Sequence, residues 1–102
     1  MAKENEATVL ELHGKQISEL APLAGLTNLK TLGLGRNQIT DLTPLANLIQ
    51  LETLWIPDNQ ITDLTPLAKL TELKMLYLGG NPVPADQKKM LINALPNCRI
   101  EF

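Results

Sequence analysis

The chain has 102 residues, 44% of them hydrophobic but only 3% aromatic, so any core must be aliphatic. Nine basic and eleven acidic side chains leave a net charge of −2, which makes no electrostatic case for nucleic acid, whose phosphates want a basic face. A lone cysteine, Cys98, excludes an intramolecular disulfide, and no apolar run approaches the roughly 20 residues of a membrane helix.

In chain order, residues 1–7 read as a polar tail. Met1-Ala2-Lys3-Glu4-Asn5-Glu6 lacks the apolar centre of a signal peptide, and with no address the compartment stays open. Val9 to His13 reads as a first strand. Nothing comparable to a cap precedes it, so its unpaired edge is a candidate for self-association unless residues 1–7 cover it.

From Thr8 onward the chain repeats every 22 residues. Asn37 to Ala46 and Asn59 to Ala68 carry the same ten letters, NQITDLTPLA. Leu10, Leu32, Leu54 and Leu76 form one aliphatic series. Leu12, Leu34, Ile56 and Leu78 form a second, Ile17, Ile39, Ile61 and Val83 a third, and Leu26, Leu48 and Leu70 another. Strand alternation puts Leu32 and Leu34 on one face and Gly33 on the other. One coil cannot enclose its own leucines, but coils stacked above and below can. Asn37, Asn59 and Asn81 recur where the chain leaves the strand, and they are expected to form a structural ladder whose amides bond backbone groups of their own and adjacent coils. Lys15 takes this position in the first coil, as at an edge. Thr43-Pro44 and Thr65-Pro66 read as starts of short 3₁₀ or α turns on the opposite side, with threonine as the cap.

The pattern L-x-x-L-x-L-x-x-N-x-I, seen in Leu29, Leu32, Leu34, Asn37 and Ile39 and again one and two repeats later, resembles the leucine-rich repeat family. With D-L-T-P-L in a 22-residue unit, it looks like the internalin-type repeats of bacterial surface proteins and is also similar to repeats of a eukaryotic phosphatase regulatory subunit. The resemblance covers about Thr8 to Phe102. It implies an α/β fold: a right-handed leucine-rich repeat solenoid with a curved parallel β-sheet on the concave face and short helical turns on the convex face. Residues 8–83 would form about four coils. Residues 84–102 would form a capping helix, Pro84 to Leu95, and a fifth strand, Asn97 to Glu101. Continuing the register places Ile92, Cys98 and Ile100 over Leu70, Leu76 and Leu78, which makes Cys98 a core residue.

No catalytic group is expected, and no cofactor or metal. His13 is the only imidazole, Ser18 occupies a turn position, and the glycines lack the G-K-[ST] of a phosphate loop. Asp41 and Asp63 read as turn or cap residues, and Lys88-Lys89 as solvated helix charges. The resemblance implies a protein or peptide partner, and the charge balance and the lack of a long apolar run give no expectation of nucleic acid or membrane. Residues alternating with the core leucines face that partner. Trp55 and Tyr77 are the sole Trp and Tyr, and the register sets Trp55, Tyr77 and Arg99 in one row. Met75, Glu11, Thr53, Arg36 and Asp58 complete the candidate set, with Gly33 and Gly35 as a flat floor. Trp, Tyr and Arg are enriched at binding hot spots. Alternatively, Trp55 and Tyr77 only shield the sheet. The identical decapeptides also allow an engineered or structural consensus scaffold without a native ligand.

Overall fold

The computed structural model describes residues 8–102; the tail assigned to residues 1–7 lies outside them. Five three-residue strands form one parallel sheet in sequential order: β1 Val9–Glu11, β2 Thr31–Gly33, β3 Thr53–Trp55, β4 Met75–Tyr77 and β5 Arg99–Glu101. The first four follow the 22-residue register, Leu10 pairing with Leu32, Leu32 with Leu54 and Leu54 with Leu76. These central leucines turn inward, and Leu32, Leu54 and Leu76 are 0% exposed. Each coil returns through a 3₁₀ turn, Ala21–Leu23, Thr43–Leu45 or Thr65–Leu67, with proline in its first two positions. Each aliphatic side chain removed from water contributes roughly 1.5–3 kcal/mol. Strands of three residues are therefore stable only as a stack.

The asparagine amides serve the coil before them. Asn37 Oδ1 accepts the N–H groups of Lys15 and Ile17, while its Nδ2 donates to Leu12 O and Leu34 O, all at 2.9 Å. Asn59 Oδ1 accepts Ile39 N–H at 3.0 Å, and its Nδ2 donates to Leu34 O at 3.0 Å. Asn81 Oδ1 accepts Asn59 N–H and Ile61 N–H, both at 3.1 Å. Lys15 stands at this position in the first described coil, where no described turn precedes it.

The threonines do not cap their turns. Leu42 and Leu64 stand at the cap positions with no side-chain bond. Asp41 Oδ1 instead accepts the Thr43 N–H, and Asp63 Oδ1 the Thr65 N–H, both at 2.9 Å. Asp closes a local turn by reaching the backbone two residues on. The side chain of Thr43, and after it the backbone of Thr43, hold the Asp41 carboxyl below the usual carboxylate range; Thr65 does the same for Asp63. A depressed carboxyl contributes stability above its unfolded pKa and loses it as pH falls through the folded one. The Asp41→Asn/Asp63→Asn double variant should therefore show a shallower loss of stability below about pH 4 in urea titrations. An acid limb as steep as that of the parent chain contradicts this role.

The two ends depart from the repeat. In the first coil Leu26 is 43% exposed, whereas its equivalents Leu48 and Leu70 are 0% exposed. Leu10, Leu12, Ile17 and Leu23 are only partly buried, because no described coil stacks on that side. At the other end Pro84 caps α1, Ala85–Ala94. Helical periodicity takes over here: Leu91 is buried and Ile92, aligned by the 22-residue count, is 51% exposed. The Gln87 side chain accepts the Leu64 N–H at 2.8 Å and ties α1 to the third coil. Lys88 is half-buried, its Nζ 5.1 Å from the centre of the Phe102 ring.

The register of the last strand is also corrected. Arg99 pairs with Met75, Ile100 with Leu76 and Glu101 with Tyr77. The coil is two residues longer than its predecessors, and a turn closed by Cys98 N–H to Leu95 O at 3.1 Å absorbs the difference. Cys98 thus does not occupy the Leu76 column. It is partly buried against the core, and desolvation raises its thiol pKa. Among the described residues no helix is long and apolar enough to cross a membrane.

Candidate partner-binding face

Side chains alternating with the buried leucines project from the open face of the sheet. Gly33, Trp55 and Tyr77 are successive partners across β2, β3 and β4. Parallel strands lie about 4.8 Å apart, which sets Trp55 and Tyr77 ring against ring: their centroids are 4.1 Å apart and their planes tilted by 46°. Trp55 stays 42% exposed despite this contact, and Tyr77 is half-buried. Thr53 and Met75 pair on the same face and continue the apolar strip toward β4.

Arg99 is not in the aromatic row. The two-residue shift sets it beside Met75 and puts Glu101 beside Tyr77. Arg99 Nε donates to Glu101 Oε2 at 2.8 Å, so the charge expected to reach a partner is already neutralised on its own strand. Glu11 pairs with Gly33, one coil short of Trp55.

Arg36 and Asp58 lie where the chain leaves β2 and β3. Together with His13, Gly35, Trp55 and Pro57 they line an open hollow of about 300 Å³. Their backbone N–H groups donate to Pro57 O at 2.9 Å and Gly79 O at 2.8 Å, but neither side chain makes a hydrogen bond or ion pair among the described residues. Both stand in left-handed backbone, Arg36 at φ 58° and Asp58 at φ 57°, in a column completed by Gly14 and Gly80. That conformation crowds Cβ against the carbonyl and costs non-glycine residues about 1–2 kcal/mol, partly offset by the freedom glycine loses on folding. Arg36→Gly should therefore raise stability by about 0.5 kcal/mol in urea unfolding, while weakening any partner that uses the guanidinium. A loss of stability would show that Arg36 makes contacts the strain argument omits.

The repeat sets His13, Gly35 and Pro57 in one concave-facing column, but His13 and Pro57 were not in the candidate set. The Gly35 N–H donates to His13 Nδ1 at 2.9 Å, and the imidazole lies over both glycines. A Cβ at Gly33 would sit 2.5 Å from His13 Nε2, and one at Gly35 3.2 Å from both His13 Nδ1 and Pro57. The floor expected to admit a partner is therefore covered, and Gly33 and Gly35 are buried. The same strand-exit position in the third coil is Pro57, which has no N–H to satisfy. The readable signal was a lone imidazole one repeat before a glycine, with a second glycine diagonal to it. Among the described residues no group of three or more His, Cys, Asp or Glu is arranged to hold a metal ion.

A family profile described as Leucine Rich repeats (2 copies) matches residues 8–47 and 49–87. The chain belongs to the leucine-rich repeat family. Its solved neighbours include internalin C2 of Listeria monocytogenes, with 44% identity over 83% of this chain and 37% of that one at a TM-score of 0.76. Another internalin of Listeria monocytogenes shows 34% identity over 93% of this chain and 27% of its own, TM-score 0.81. A leucine-rich repeat protein of Leptospira interrogans shows 31% identity over 93% and 25%, TM-score 0.85. This leucine-rich repeat chain thus spans well under half the length of these neighbours. No curated protein sequence matches it. Internalin-like repeats and a parallel solenoid sheet are its shared features, and the family's general role is that of a protein-interaction module.

Proposed function

We propose that this chain is a non-catalytic module that binds a protein or peptide on its concave sheet, with Trp55 and Tyr77 as anchors. The observation that carries this reading is the Trp55–Tyr77 pair on the open face, Trp55 exposed and Tyr77 half-buried, 4.1 Å between centroids and beside the hollow that holds Arg36 and Asp58. A solenoid core explains every inward leucine but gives no reason for two large aromatics on the outer face of adjacent strands. Rigid aromatics supply contact area at low conformational cost. Met75 and Thr53 extend the contact, Arg36, Asp58 and Glu11 supply polar specificity, and Arg99 contributes only as an Arg99–Glu101 pair.

Selection of a displayed random-peptide library on the folded chain tests this. Enriched peptides should lose about thirtyfold in affinity against the Trp55→Ala/Tyr77→Ala variant, the loss of one strong hot spot. They should bind Asp41→Asn, altered on the convex side, as they bind the parent. Peptides indifferent to Trp55 and Tyr77 would reject the concave reading. They would favour the scaffold alternative, which rests on the two identical decapeptides.

A further inference from the structure

We infer that His13 is a protonation-controlled cover over the concave hollow, which uncovers Gly33 and Gly35 when the imidazole takes its second proton. His13 Nδ1 accepts the Gly35 N–H at 2.9 Å, so its lone pair is engaged and the neutral ring carries its proton on Nε2. The second proton has only Nδ1 to go to, where it meets the Gly35 N–H head-on. Two donors then face each other, the bond is lost, and the ring must leave. No side chain at Gly33 or Gly35 grips it, and the Gly35 N–H is the ring's one hydrogen-bond partner among the described residues.

Charged groups of three coils surround the ring. Glu11 of β1 hangs over the same glycine, its Cγ 3.5 Å from where a Gly33 Cβ would stand. Asp58, following β3, and Arg36, following β2, line the hollow with His13. Two carboxylates attract the imidazolium and one guanidinium repels it. Departure opens the floor next to Trp55 and frees the Gly35 N–H as a donor, so the hollow offers a deeper, more polar surface in acid than at neutral pH.

The free chain suffices as the probe, so this inference stands or falls separately from the partner-binding reading. One histidine and one tryptophan in the sequence make both signals unambiguous. Imidazole ¹⁵N shifts, Gly35 amide protection and Trp55 emission are followed from neutral to mildly acidic pH. The expected result is an Nε2–H tautomer at the neutral end. Gly35 amide protection should then fall about tenfold in step with the imidazole titration, the size of one net hydrogen bond, and Trp55 emission should shift with the same midpoint. His13→Ala should show low Gly35 protection and no such transition at either end. An Nδ1–H tautomer at neutral pH, or Gly35 protection that ignores the titration, overturns the inference.

Discussion

Asn59→Ala is expected to cost about 3 kcal/mol of stability, and more than Asn37→Ala. The Asn59 amide lies between coils, where it accepts the buried Ile39 N–H and donates to Leu34 O, Ile56 O and Pro57 O. Alanine fills less space and answers none of these groups. A buried donor or acceptor left unpaired costs about 1–3 kcal/mol, and water has poor access to the middle of the stack. Asn37 makes one bond more, but those to Lys15, Ile17 and Leu12 are only partly buried and close to the open first coil. Water can replace them there. Urea unfolding of the two variants side by side measures the difference. Equal losses would mean that the amides act locally, within each turn, rather than between coils.

Leu48→Ala should cost about 3 kcal/mol and Leu26→Ala less than about 1 kcal/mol, although the two occupy the same repeat position. Leu48 is 0% exposed, enclosed by coils on both sides, and its removal leaves a cavity that the stack cannot close. Leu26 is already 43% exposed, so little transfer free energy and little packing are lost. Thermal and urea unfolding of both variants gives the comparison. A Leu26→Ala loss as large as that of Leu48→Ala would mean that the first coil is covered as fully as the second.

These two cases also show how far the sequence can be read. A 22-residue period predicts which residues are equivalent, and sheet register obeys it from Val9 through Tyr77 because each coil has the same length and the same turn. Equivalence in sequence does not specify what lies above and below a coil. Leu26 therefore reads as core and is not. Beyond Asn81 the period itself fails, because a helix replaces the 3₁₀ turn and obeys its own 3.6-residue geometry. Burial passes from Ile92 to Leu91, and the turn before β5 takes up two residues. Arg99 moves one row with it, out of the aromatic line and into a bond with Glu101.

The proposed binding face was legible where it depends on strand alternation. Trp55 beside Tyr77 follows from register alone. What lies in the hollow depends on side-chain reach across coils, which no period encodes. His13 covers Gly33 and Gly35 because its ring extends from the first coil onto the second. The threonine caps failed for a related reason: threonine and aspartate both suit a turn start, and Asp41 has the length to reach the Thr43 N–H two residues on.

The most direct check of the concave reading is an NMR map of the chain, assigned free and then saturated with a peptide selected on it. Large shift changes should gather at Thr53, Trp55, Pro57, Met75 and Tyr77 and extend to Arg36 and Asp58. The convex turns at Thr43–Leu45 and Thr65–Leu67 should stay where they were. Shifts centred on those turns or on α1, with the Trp55 indole signal unmoved, would contradict the account.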